Sequence, residues 1–394
     1  MSRPRIAVIC TEYRRNSHAD VIAGRLLAGY EYEGRWREPQ LLVVSMFTDQ
    51  VPDNDMSRDL ASRYGYSVHP SVAQALTLES GALAVDGVVL IGEHGDYPRN
   101  EKGQKLYPRY ELYREIVEVF EASGGSVPVF CDKHLSTEWD KAVWMVEQSR
   151  RLGFPLLAGS VQPLSWRRPP LELDIGAPVT QALTTFHGPK EDYGIHALEI
   201  LQCMVERRAG GETGIAAVQC LEGPPVWEWT DANEWAEPLL EAALRRSDTC
   251  RPGSPRDNCP EPILFHLEYR SGLQGACYLL NGHMTDRGFA ANLEGQAPPV
   301  STQIYAQPVR PFGHHAGTVH YIEEFVLTGR AAWPMERILL TTGALEALMD
   351  SSWRGNERRE TPHLDVAYRS YETMPIRPTG PLPKGASTVP FDRI

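Results

Sequence analysis

Val127-Pro128-Val129-Phe130-Cys131-Asp132-Lys133-His134-Leu135 is an apolar run that ends in three ionisable side chains just before a helical pattern begins. In open parallel sheets, ligands bind in the crevice beyond the carboxyl ends of the strands. The stretch therefore predicts a buried parallel strand and marks its end as a site. Outward from it, residues 5–10, 40–46, 67–69, 85–91 and 154–158 read as strands, and 19–30, 57–64, 70–76, 107–122 and 137–152 as helices. Gly124, Gly125 and Gly153 stop the later helices. Such alternation predicts a Rossmann-like parallel sheet with helices on both faces and right-handed crossovers.

After Trp166-Arg167-Arg168-Pro169-Pro170 the pattern changes. Residues 179–187 read as a strand and 193–208 as a helix; 215–221, 263–269, 275–281, 288–293 and 302–309 then read as strands. Helices over 318–327 and 335–351 and a last strand over 363–368 complete the reading. Strands in series with helices gathered elsewhere predict an α+β domain on a largely antiparallel open sheet. Three segments are expected: a Rossmann-like domain over 1–160, an α+β substrate and oligomerisation domain over 161–373, and a Pro/Gly-rich arm over 374–394. The broad second sheet is the expected contact of a homo-oligomer. Trp227 and Trp229 are expected to cover sheet surface, and residues 248–262 to form a loop.

The 394 residues exceed the usual single-core size, which agrees with two domains. A net charge of -12 argues against nucleic acid or an anionic membrane as partner and leaves a small molecule. Seven cysteines without a C-x-x-C pair suggest neither a disulfide framework nor a cysteine zinc site. With no apolar signal core and no run near the ~20 apolar residues of a membrane helix, a reducing cytoplasm is the expected location.

Three stretches resemble the Gfo/Idh/MocA family of sugar and cyclitol oxidoreductases. Phe130-Cys131-Asp132-Lys133-His134-Leu135 is similar to its Glu-Lys-Pro segment, Glu191-Asp192-Tyr193-Gly194-Ile195-His196 to its Asp-x-Gly-x-His segment, and 321–330 to its late helix and Thr-Gly. The resemblance implies that Lys133 is the catalytic lysine, and that Asp192 and His196 stand on the substrate side. Independently, Asp192 and His196 are four apart at a helix start, hence on one face, where the helix dipole favours the carboxylate. Histidine suits proton transfer near neutral pH.

The chain departs from that family in the loop after the first strand. Thr11-Glu12-Tyr13-Arg14-Arg15-Asn16-Ser17-His18-Ala19 contains no glycine, where dinucleotide folds use G-x-G-x-x-G to bring backbone close to the pyrophosphate. Tyr13 is expected to obstruct the pyrophosphate, which disfavours ordinary NAD(P) binding. Arg14 and Arg15 remain anion-binding candidates, and Asp49 is a weak candidate for a ribose contact. Glu93, His94 and Asp96, at the end of the 85–91 strand, with Arg167 and His314, complete the expected substrate-binding set. The bland alternative is a polar loop and structural ion pairs.

His18, His94, Asp132, His134 and His196 all fall at strand ends or at the second domain's first helix, and together form a candidate set for a divalent metal. Three functions stay open. One is Lys/His acid–base chemistry on a hydroxylated, carbohydrate-like molecule without ordinary NAD(P), with metal assistance as a variant. It covers elimination, hydration, isomerisation and hydrolysis. The second is an NAD(P)-dependent sugar or cyclitol oxidoreductase with an atypical cofactor loop, and the third a non-catalytic sensor or partner protein.

Overall fold

The computed structural model describes residues 2–372 and 377–382. Its first half runs β1 (Arg5–Cys10), α1 (His18–Ala28), β2 (Tyr30–Tyr32), β3 (Arg35–Arg37), β4 (Leu42–Thr48), α2 (Ser57–Tyr64), β5 (Ser67–His69), α3 (Val72–Thr77), β6 (Gly87–Ile91), α4 (Arg109–Ser123), β7 (Val129–Asp132), α5 (Trp139–Leu152) and β8 (Leu156–Gly159). Six of these strands form a parallel sheet ordered β5-β4-β1-β6-β7-β8. β6 and β7 are buried along their whole length, as strands covered on both faces must be. The chain moves outward from β1 through β4 and β5, then returns to place β6 on the other side of β1. That reversal opens a crevice beyond the carboxyl ends of β1 and β6.

The second half runs β9 (Trp166–Arg168), β10 (Val179–Phe186), α6 (Lys190–Val205), β11 (Ile215–Glu222), α7 (Pro224–Ala232), α8 (Ala236–Leu244), α9 (Pro255–Asn258), β12 (Ile263–Tyr269), β13 (Gln274–Leu279), β14 (Gly288–Leu293), β15 (Val300–Tyr305), α10 (His315–Thr328), α11 (Met335–Trp353) and β16 (Arg359–Glu360). Its eight-stranded sheet is ordered β16-β11-β12-β13-β10-β14-β15-β9 and is antiparallel except for the pair β10–β13. Alternate residues serve two cores: Cys277 and Leu279 of β13 join the cluster that holds α6 and α11, whereas Ala276 and Tyr278 face α7 and α8. α10 crosses back to the first layer. Its Val319, Ile322 and Phe325 pack with Ile6, Val8 and Ile22, and Glu323 accepts a hydrogen bond from Tyr30 at 2.7 Å.

The structure departs from the sequence expectations at several places. The 363–368 segment is not a strand and only bridges to Glu212 through Tyr368; the strand beside β11 is β16. The strand expected over 302–309 is β15, which ends at Tyr305. The 248–262 loop contains the short helix α9. α7 and α8 were not among the expected elements; Pro224 and Pro225 open α7, where a missing N–H costs nothing. These helices cover sheet strands expected to meet a second copy, with Trp227 and Trp229 on them packing at that core. Of the expected arm, 377–382 lies against the body, where the Gly380 carbonyl accepts from Trp166 at 3.0 Å; the rest falls outside the described residues.

Candidate active site

Three strand ends of the first sheet build the crevice floor. Glu93 follows β6, and its buried carboxylate accepts from Lys133 Nζ at 2.9 Å and from Arg109 at 2.6 Å. Burial alone would raise this carboxyl, but the Lys133 and Arg109 cations together hold it well below the usual range. Lys133 follows β7 at φ 56°, its N–H bonded to the Gly159 carbonyl at 3.0 Å. His94 follows Glu93 at φ 71°. Two non-glycine residues in this sparsely populated region, both lining one cavity, mark a place where the fold over-determines the backbone.

The roof comes from the second half. α6 brings Asp192 and His196 to the crevice, and the start of α10 brings His314 and His315. The His196 Nδ1 is hydrogen-bonded to the Ser160 hydroxyl, so Nε2 is the nitrogen left for the crevice. Burial, with the charges of Lys133 and His18 nearby, pushes His196 well below its ordinary pKa. It is therefore a neutral imidazole near pH 7, able to take a proton. His18 at the start of α1 lies 2.5 Å from Asp132, with ring centroids 5.0 Å from His94 and 5.5 Å from His315. Burial, then the charge of His18, lowers His94 to about 3, and burial likewise depresses His314 and His315.

The cavity measures about 350 Å³. Its wall also includes Arg99, Lys105, Tyr107, Gln162, Tyr193 and Arg287, none of which the sequence reading singled out. Tyr193 stands on α6 inside the Glu191–His196 stretch and Gln162 at a short 3-10 turn, whereas Arg99, Lys105, Tyr107 and Arg287 stand in loops, without a motif to expose them. Arg99 and Lys105 pair as an isolated bridge within the 93–108 segment, which straps across the crevice and is joined to α6 by an ion pair from Arg99 to Asp192 at 3.2 Å.

Other expected site residues lie elsewhere. Arg167 is buried in an ion pair with Glu172, away from the crevice, because β9 is an edge strand turned to the far side. Arg14 pairs with Glu12 at 2.6 Å, and Arg15 is exposed; neither lines the cavity. Asp96 is exposed, with its backbone clasped by Gln50. His134 points into the interior, 3.1 Å from Arg109, where burial keeps it neutral. Of the five candidate metal ligands, His18 touches Asp132 and neighbours His94, while His134 points away; among the described residues no group of three or more His, Cys, Asp or Glu side chains is placed to hold a metal ion.

A dinucleotide on this architecture lies along the carboxyl ends of β1 and β4, with its pyrophosphate at the start of α1. Tyr13 does not obstruct that place, contrary to expectation: its ring is buried with Cys10, Met46 and Tyr66. At that place Ser17 caps α1 by accepting from the Asp20 N–H, and the Asp20 carboxylate bonds the Asn16 N–H at 2.8 Å and Arg310 at 2.7 Å. Asp49 is held by the Tyr97 hydroxyl at 2.5 Å, a contact that a dinucleotide reaching Asp49 would have to displace.

No family model matches the sequence, and no curated protein matches it. Solved structures do match. GenD2 from gentamicin A biosynthesis, determined with NAD, superposes with a TM-score of 0.54 at 15% identity over 92% of this chain and 97% of its own. A putative myo-inositol dehydrogenase from Sinorhizobium meliloti 1021 gives 0.54 at 13% identity over 91% and 99%. Biliverdin reductase from Synechocystis sp. PCC 6803, with biliverdin and NADP+, gives 0.51 at 12% over 89% and 99%. The chain shares their fold. The architecture implied by the Gfo/Idh/MocA resemblance is thus present from end to end, while identities this low leave the chemistry to be argued from the site.

Proposed function

We propose that the chain is an enzyme of the oxidoreductase kind, acting on a small hydroxylated molecule, sugar- or cyclitol-like, held between the two sheets. One observation carries the reading: Lys133, fixed by Glu93 at 2.9 Å, and the neutral His196 line the same cavity. The fold likeness to an inositol dehydrogenase and to GenD2 supports it. In this reading Lys133 Nζ donates to the reacting substrate oxygen, His196 Nε2 accepts the proton that oxygen gives up, and the hydride of the adjoining carbon would pass to a nicotinamide dinucleotide when one is bound. Ser160 holds the imidazole in orientation.

A second reading, acid–base chemistry without a dinucleotide, is favoured by the Asp49–Tyr97 contact and the glycine-free loop. Titration of NADH and NADPH against the protein, followed by nicotinamide fluorescence, separates the two. Saturable binding, together with substrate-dependent absorbance change at 340 nm, is the expected result. Absence of binding up to millimolar concentration, also after the strap is loosened by Tyr97→Phe, would sink the oxidoreductase reading and leave the second.

A further inference from the structure

The charges of the crevice do not cancel. Lys133 is paired with Glu93 at 2.9 Å, and Arg99 with Asp192 at 3.2 Å. Arg287, which also lines the cavity, has no hydrogen-bond or ion-pair partner for its side chain among the described residues, and its Nε is fully enclosed. The adjacent Asp286 does not serve it. That carboxylate is taken by Ser247 at 2.6 Å, by the Asp248 N–H at 2.8 Å and by Gln303 at 2.7 Å. Lys105, which lines the same cavity, likewise has no carboxylate partner among the described residues; its ammonium lies 5.5 Å over the Tyr107 ring. Its other two nitrogens are open to the cavity, so a fixed cation without a protein partner stands where an anion arriving from outside can take it up.

The position is set by the fold. Arg287 precedes β14, and its main-chain carbonyl accepts from Ile304 at 2.9 Å. The guanidinium lies 5.2 Å over the Phe186 ring at the end of β10, and Phe186 stacks in turn on His196, with centroids 6.1 Å apart. The fork therefore stands beside the imidazole assigned to proton transfer. Burial lowers the neighbouring His187 and His314, with the Arg287 charge adding to it, so no second cation beside it competes for the anion.

We propose that the substrate of this crevice carries an anionic group, a carboxylate or a phosphate, that seats on the planar fork of Arg287, with Lys105 lining the same cavity. The inference rests on the crevice being the substrate site, as argued above.

Calorimetric titration of D-glucuronate, D-glucose 6-phosphate and D-glucose at constant ionic strength tests it. At least one acid is expected to bind about 10-fold to 100-fold more tightly than glucose, the worth of a charge-assisted pair. Which acid binds identifies the group. Arg287→Gln is expected to remove the preference without lowering the melting temperature of the ligand-free protein, as a purely structural arginine would, and Arg287→Lys to restore part of it. Glucose binding as tightly as both acids, binding by none of the three, or acids binding Arg287→Gln unchanged would overturn the proposal. If the glutamine variant fails to fold, the wild-type comparison and Arg287→Lys decide alone. Neutral sugars that bind and are oxidised would remove the anion seat and keep the oxidoreductase reading. Acids that bind but are never turned over with NAD(P) would do the reverse.

Discussion

His196 is kept neutral chiefly by burial, and Lys133 is held by a carboxylate that its own charge helps to ionise. The two roles can be pulled apart by substitution. Lys133→Ala and His196→Ala should each lower kcat by about 10² to 10⁴, the usual worth of a positioned proton-transfer group, while circular dichroism stays that of the wild type. Turnover unchanged in both would show that the chemistry lies elsewhere. Because the His196 pKa is pushed well below its ordinary value, kcat/KM should stay flat between pH 8 and 6; a limb near 6.5 would contradict the neutral base. Lys133 and His196 were legible because each follows a strong periodic signal. Arg287, Tyr107 and Ser160 were not, since loop residues carry no period, and their role depends on which side of a sheet edge the loop falls. His134 looked equivalent to Lys133, yet the left-handed turn at Lys133 sends the next side chain inward to Arg109.

Among the elements, the 93–108 strap has the most consequence. Its first half is tied to the turn after β4 by Tyr97 to Asp49 and by Gln50 to Asp96, and to α6 by Arg99 to Asp192. Tyr97→Phe removes the contact that occupies the ribose-side carboxylate. It should tighten NADH binding about 10-fold, corresponding to one hydrogen bond of about 1.5 kcal/mol that binding no longer has to break. Unchanged or weaker affinity would show that the strap does not compete. A second element-scale contact holds α11 to the end of α6, where Arg337 makes a bidentate pair with Glu206 at 2.6 and 2.8 Å. Both side chains are buried, so Arg337→Ala should cost about 3–5 kcal/mol by leaving Glu206 without its main partner, read by denaturant unfolding. A loss under 1 kcal/mol on the same order-of-magnitude scale would mean that Tyr368 and Ser370, which also bond Glu206, suffice. The main strands and helices were readable from period and stops. α7 and α8 were not, because prolines that break a helix interior also begin a helix, and only position separates the cases.

Across the whole molecule, the buried histidines set an acid limit. His94, His134, His196, His314 and His315 all have pKa values lowered by burial, so the unfolded chain binds more protons than the folded one below its own value of about 6.5. Their stability contribution is complete above that pH and is lost as pH falls, by up to about 1.4 kcal/mol per unit for each histidine. The melting temperature should therefore drop between pH 6.5 and 5, opposed in part by the carboxyls of Glu191 and Glu199, which burial raises to about 7; a plateau there would show that the five imidazoles do not outweigh those two carboxyls. The sequence by itself determined the two-layer plan, the parallel first sheet, and the strand end at which Lys133 stands, because burial on a regular backbone repeats along the chain. It took the tertiary packing to put Tyr13 in the core, to turn Arg167 away, to keep the five candidate metal ligands from converging on one ion site, and to leave Arg287 unpaired beside His196. Those outcomes depend on distances between segments far apart in sequence, for which local periodicity holds no record.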